Sequence, residues 1–170
     1  MGARNYLIDG VSGTGKTSVA TELERRGYHV AHGDRVLAYR GHPETGEPLE
    51  DFATNSDASF AHQHHLWDVK KVKSLLADQS HPVSFFCGGS RNFREFIDLF
   101  DEVFVLDVDL ETLKRRLASR PEEEFGGKPA ERDLIMRLHA TKEDIPEHAT
   151  IVDATLPLAS VVDDILSRCG

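Results

Sequence analysis

The octapeptide GVSGTGKT, residues 10–17, sets three glycines ahead of a lysine and a threonine at a point where a helix should start. Glycine is a poor helix former and costly to order, so its repetition there calls for a compensating gain. Gly10, Gly15, Lys16 and Thr17 satisfy the spacing G-x-x-x-x-G-K-[ST], in which successive main-chain amides can turn inward because bulky side chains are absent. Such a nest at the positive end of a helix holds phosphate oxygens. Ser12, Gly13, Thr14 and Ser18 complete the candidate contacts to a phosphate chain. Lys16 would bridge its β- and γ-phosphates, and the Thr17 hydroxyl would be a ligand for Mg²⁺, which prefers octahedral oxygen coordination.

That chemistry requires a strand to deliver the loop and a helix to receive it. Arg4–Asp9 (RNYLID) reads as the strand, and residues 16–26 as the helix, with Val19, Ala20 and Leu23 inward and Gly27 ending it. Residues 28–32 read as a second strand, 40–48 (RGHPETGEP) as a loop, and 56–79 as one helix striped by Phe60, Leu66, Val69, Val72, Leu75 and Leu76. Residues 82–87 (PVSFFC) and 102–106 (EVFVL) are nearly unbroken apolar runs, as strands covered on both faces should be. Helices are expected over 91–100, 110–120, 131–140 and 158–168, a last strand over 149–152, and a mobile loop over RPEEEFGGKPAER at 120–132. This alternation implies a three-layer α/β fold around a parallel sheet of five strands.

The chain of 170 residues fits a single domain, residues 1–170, with 39% hydrophobic and 29% charged residues and no repeat or low-complexity tract. Its net charge of −9 disfavours a broad footprint on nucleic acid or on an anionic membrane, so an anion must be met locally. Cys87 and Cys169 lack the spacing of a disulfide framework or a zinc site, which fits a reducing cytoplasmic setting. No apolar run approaches the roughly 20 residues needed to cross a bilayer, the start lacks a signal-peptide core, and Tyr6 stands where a myristoylation signal wants Ser or Thr.

Residues 141–144 (TKED) match a guanine-reading [NT]-K-x-D, but they follow an amphipathic helix and no D-x-x-G occurs in the chain. They read as a solvated helix end. Three histidines, His62, His64 and His65, invite a zinc reading, yet the H-E-x-x-H spacing is absent, which favours solvated or pocket-lining roles. Trp67 reads as core.

In layout, the chain resembles the small P-loop kinases of the adenylate kinase, shikimate kinase and gluconate kinase group over almost its whole length. The resemblance implies a three-layer α/β/α P-loop NTPase fold with a short lid near 120–132, an acceptor-binding region near 34–80, and ATP with Mg²⁺ as cofactors. In HGDR, Asp34 follows the second strand and would take the acceptor hydroxyl's proton or hold a Mg²⁺-bound water, unless it only caps the next helix. In GGSRN, Gly88 and Gly89 would let the main chain approach the acceptor and Arg91 would pair with an anionic group on it, the plainer reading being a turn with Ser90 as a cap.

RRLASR is similar to the group's entry to the lid. Arg116 and Arg120, four residues apart on one helix face, would reach the phosphates, with Arg132 a further candidate and Gly126 and Gly127 as hinges; solvated surface charges are the alternative. DATLPLASVV is similar to the loop that holds adenine, with Thr155 and Pro157 near the base and ATP against GTP left open. The chain departs from many P-loop enzymes in having no acidic residue at the end of the third strand, so Asp34 or Asp9 would support the metal.

Two functions follow. One is an ATP- and Mg²⁺-dependent phosphotransferase acting on a small acceptor as a monomer or homodimer. Arg35, Arg40, Arg91 and Arg94 favour an anionic acceptor, such as a nucleoside monophosphate or a metabolite. The other is an ATP-binding regulatory or switch module without physiological transfer.

Overall fold

The computed structural model describes residues 3–49, 58–143 and 145–169. Five strands form one parallel sheet: β1 (Arg4–Asp9), β2 (His29–His32), β5 (Val83–Cys87), β6 (Glu102–Asp107) and β7 (Thr150–Asp153). Their spatial order is β2-β5-β1-β6-β7, so β1 sits at the centre, with Ile8 opposite Cys87 on one side and Phe104 on the other. The loop after β1 therefore emerges at the middle of the sheet's carboxyl edge, beside the ends of β5 and β6.

Period-two alternation explains the layers. Tyr6, Ile8, Phe85, Phe104 and Leu106 face one side, under α1 (Lys16–Arg25), α5 (Leu110–Ala118), α6 (Pro129–Thr141) and α7 (Leu158–Arg168). Leu7, Phe86 and Val103 face the other, under Trp67, Val72, Phe93, Phe96 and Phe100. Both faces of the central strands β1, β5 and β6 are covered, so these carry apolar residues almost without interruption, whereas the edge strands β2 and β7 are less buried. The five-stranded parallel sheet with flanking helices is as expected.

Two segments differ from the periodicity. The expected helix over 56–79 is broken: α3 (Ala58–Gln63) is followed by β4 (His65–Trp67) and then by α4 (Val69–Ala77), while residues 56 and 57 lie outside the described residues. β4 pairs antiparallel with β3 (Ala38–Arg40), which itself follows a single helical turn, α2 (Gly33–Val36). Asp68 restarts the helix by accepting the Lys71 amide at 3.2 Å, an N-cap hidden inside a continuous apolar stripe. Residues 91–100 form two 3₁₀ turns, Phe93–Glu95 and Ile97–Leu99, instead of an α-helix. There Phe93, Phe96 and Phe100 keep their helical spacing and bury together, while the Asn92 side chain is drawn onto the Trp67 main chain.

The expected helix over 131–140 begins two residues earlier because Pro129 suits the first turn. It ends at Thr141, with Lys142 left-handed and its Nζ 2.9 Å from Asp107; Asp144 of the TKED stretch lies outside the described residues. Among the described residues no helix is long and apolar enough to cross a membrane.

Candidate active site

The glycine loop takes the shape that its residues demand. Gly10, Gly13 and Gly15 all adopt positive φ, at 149°, 94° and 105°, and Gly15 is the left-handed N-cap of α1. A methyl at Gly13 would overlap Leu113, and one at Gly10 would overlap Thr14 and the Leu106 carbonyl, so packing excludes side chains as firmly as φ does. The Thr14 hydroxyl donates inward to the Val11 carbonyl at 2.7 Å and stiffens the turn. Thr17 and Ser18 are exposed on the first turn of α1, whose leading amides have no earlier carbonyl within the helix to bond. Lys16 folds over the loop and donates to the Gly10 carbonyl at 2.5 Å.

Two carboxylates flank this loop. Asp9, at the end of β1, is 3% exposed; its Oδ1 accepts the Gly10 amide at 2.7 Å and lies 4.0 Å from Lys16 Nζ. Its Oδ2 is buried with no hydrogen-bond partner among the described residues. Burial pushes the Asp9 carboxyl up, against the pull of Lys16, the Gly10 amide and Arg91. Asp34, on α2, opens to solvent over half of its side chain. Desolvation on its packed side is the largest influence and an upward one. The hydrogen bond from His65, the charge of Lys16 and the Trp67 N–H nevertheless hold the carboxyl below the usual range.

The turn after β5 threads between these acids. A Cβ on Gly88 would sit 2.9 Å from the Trp67 ring and 3.0 Å from Asp34 Oδ1, and one on Gly89 would overlap the Asp9 carboxylate. The Arg91 main chain donates to the His65 carbonyl at 2.9 Å, and its charge acts on Asp9. From Asp34 a cleft of about 890 Å³ runs along the β3–β4 hairpin, lined by Tyr39, Arg40, His65, Asp68, Lys70 and Glu95. Arg35 and Arg94 are exposed outside that lining, Arg94 lying 4.8 Å over the Phe93 ring.

The helix expected over 110–120 ends at Ala118, so Arg116 lies on α5 while Arg120 lies beyond its end and the two do not share a helix face. Arg116 donates to the carbonyls of Thr14 at 3.1 Å and Ala154 at 2.8 Å, tying the glycine loop to the loop after β7. Desolvation, then Arg115, lowers its pKa. Arg120 donates to the Ser12 hydroxyl at 3.0 Å and to the Phe125 carbonyl, so it joins the glycine loop to the segment between α5 and α6. Arg132 donates to the Gly126 carbonyl at 3.0 Å. Thr155 folds back on Asp153, and Pro157 caps α7; both lie beyond Ala154 at the far end of the loop that Arg116 holds.

The family follows from this frame. The model of the AAA domain family matches residues 7–137, from the first strand through the segment between α5 and α6 and into α6. The chain belongs to that family. No curated protein matches the sequence significantly. As an AAA domain chain it shares its fold with solved kinases. Shikimate kinase from Bacteroides thetaiotaomicron is 16% identical, with a TM-score of 0.62, and the match covers 97% of each chain. A gluconokinase from Sinorhizobium meliloti 1021 is 21% identical, with a TM-score of 0.54, covering 96% of this chain and 90% of that one. Deoxyadenosine kinase from M. mycoides with bound dATP is 15% identical, with a TM-score of 0.52, covering 96% and 98%. The fold of this AAA domain protein is that of the small P-loop kinases.

The remaining histidines disperse. His64 Nδ1 lies 2.7 Å from the Phe60 carbonyl, and its ring stacks on Phe60 at 4.1 Å; among the described residues no cluster of three His, Cys, Asp or Glu side chains could hold a metal. Trp67 was legible as core, and it is fully buried, but its indole N–H also donates to Asp34 at 3.3 Å. A tryptophan's need for a partner when buried was the available signal. The hairpin that delivers it was hidden by the apolar stripe.

Proposed function

We propose that this protein is an ATP- and Mg²⁺-dependent phosphotransferase that moves a γ-phosphoryl group onto a small hydroxylated acceptor carrying an anionic group. The supporting observation is the pairing of two sites. The loop lysine acts electrostatically on Asp34, and Asp34 opens into a cleft of about 890 Å³, within the usual span of small-molecule pockets. A nucleotide-binding switch would have no need of such a cleft beside its phosphate loop.

In this reading the nest of residues 10–17, with Lys16, carries the triphosphate, and Thr155 and Pro157 border the base. Arg40, which lines the cleft, and Arg91, beyond that lining, serve the acceptor's anionic group, while Gly88 and Gly89 keep the turn after β5 clear of Trp67 and of the two carboxylates. The acceptor hydroxyl gives its proton to Asp34. Its oxygen forms a bond to the γ-phosphorus as the bond to the β-bridging oxygen breaks, and ADP leaves. Arg120, already on Ser12, stabilises charge on the transferring oxygens as residues 120–132 close. Arg116 positions the two loops, since its guanidinium is committed to their carbonyls.

The residues present fit a magnesium ion. Thr17 presents an exposed hydroxyl and Asp9 a buried carboxylate oxygen with no partner among the described residues, room for it being kept by Gly89, whereas Asp34, expected at the metal as well, is taken up as the proton acceptor. Bound there, magnesium would neutralise charge along the phosphate chain.

The test is coupled ADP release over a panel of nucleosides, nucleoside monophosphates, sugars and sugar acids. Acceptor-dependent turnover that disappears in Lys16→Ala, and that Arg120→Ala reduces far more than it weakens ATP binding, is expected. Tight ATP binding with no response to any acceptor would favour the switch module instead.

A further inference from the structure

β4 carries His65 and Trp67 at i and i+2, so both side chains leave the same face of the strand. Both meet one atom. His65 Nε2 lies 2.9 Å from Asp34 Oδ1, and Trp67 Nε1 donates to the same oxygen at 3.3 Å. A carboxylate oxygen offers two lone-pair directions, so these two donors saturate Oδ1 and leave Oδ2 as the oxygen open to the cleft.

The donors rest on a rigid platform. The Trp67 ring is fully buried and stacks on Phe96 at 5.7 Å and 5°; Gly33 and Gly88 lack the Cβ atoms that would collide with it. The Trp67 main chain is held on both sides by the Asn92 amide, at 3.1 and 3.0 Å. The Asp68 amide donates to the Leu37 carbonyl at 2.8 Å, and the Arg91 amide to the His65 carbonyl at 2.9 Å. The hairpin is thus tied to both the α2 segment that carries Asp34 and the turn after β5. Phenylalanine would keep an aromatic ring here without the N–H, at the cost of a void beside Gly33 and Gly88 that the unfolding measurement below registers separately.

We propose that His65 and Trp67 are positioning residues that lock the Asp34 carboxylate in one orientation, so that Oδ2 alone receives the proton of the attacking hydroxyl. This rests on the reading of Asp34 as the acceptor-activating carboxylate. Without the two donors the carboxylate rotates about its own bond, and the fraction of encounters with Oδ2 aligned falls while ATP binding is unaffected.

Trp67 is the only tryptophan in the chain, so its indole N–H gives a single resonance in a ¹H–¹⁵N spectrum. The experiment combines that spectrum with turnover of Mg-ATP, using water as the phosphoryl acceptor, and with Mg-ATP calorimetry. Asp34→Asn should shift the indole resonance and abolish turnover. His65→Ala and Trp67→Phe should each lower turnover about tenfold with KM for ATP unchanged, and His65→Gln, whose amide N–H can reach the same oxygen, should recover part of the loss. Thermal unfolding of Trp67→Phe verifies that the fold is kept. Turnover lost in Asp34→Asn but unchanged in both His65→Ala and Trp67→Phe overturns the positioning role alone. Folded protein that shows no heat with Mg-ATP, or no turnover that depends on Asp34, overturns the reading beneath it.

Discussion

Replacing Gly89 by alanine puts a single methyl into the contact between the turn after β5 and the end of β1. That methyl would overlap Asp9 Oδ1 and sit 3.2 Å from its Cγ and 3.3 Å from its Oδ2. The carboxylate cannot swing away cheaply, because it is 3% exposed and its Oδ1 is bonded to the Gly10 amide at 2.7 Å. Overpacking of this kind costs about 1–3 kcal/mol. Weakening a buried hydrogen bond to a charged acceptor adds about 1–2 kcal/mol. A total near 2–5 kcal/mol corresponds to a fall in Tm of about 4–20 °C for a chain of this size. The loss should shrink by at least about 1 kcal/mol when Gly89→Ala is introduced into Asp9→Ala, because the obstructing oxygens are then gone. Differential scanning calorimetry on the four proteins of the cycle measures this. Additive effects of the two substitutions, or a Gly89→Ala protein with the parent's Tm, would refute the argument that Gly89 exists to seat the Asp9 carboxylate.

Two further expectations concern the frame around the site. Arg116→Ala removes a guanidinium that joins the Thr14 and Ala154 carbonyls, so denaturant unfolding should show a loss of about 2 kcal/mol together with weaker ATP binding; an unchanged midpoint would contradict the strut. His29 stacks on His81 at 4.0 Å, and burial, then His81, holds its pKa below the ordinary 6.5. The folded state therefore favours neutral His29, so its stabilisation is present above pH 6.5 and is lost as pH falls through the lowered value. His29→Gln should flatten the decline in Tm between pH 7.5 and 5.5, and an identical pH profile in the variant would count against the effect.

Much of this architecture was legible because it obeys a single local rule at a time. The nest needs glycines before a lysine, and the central strands β1, β5 and β6 are nearly unbroken apolar runs, so a loop motif and run length sufficed to find them, though not to set their order in the sheet. What failed were segments where two rules compete. Leu66, Val69 and Val72 continue a helical stripe across β4, and only the pairing of β4 with β3, whose partners lie 25 to 29 residues earlier in the chain, decides against the helix. Phe93, Phe96 and Phe100 likewise suggested an α-helix, yet Asn92 spends its side chain on Trp67 and the segment tightens into 3₁₀ turns. The same competition hid the environment of Asp34. Its position after the second strand could be read, but the donors that surround it come from a hairpin whose existence depends on contacts distant in sequence.

The account stands on the main-chain nest of residues 10–17 gripping a nucleoside triphosphate. Isothermal titration of folded protein with Mg-ATP measures that directly. Saturable heat with about one site per chain, weakened at least about tenfold in Lys16→Ala, is the predicted result. Folded protein that gives no heat of association with either Mg-ATP or Mg-GTP would contradict it.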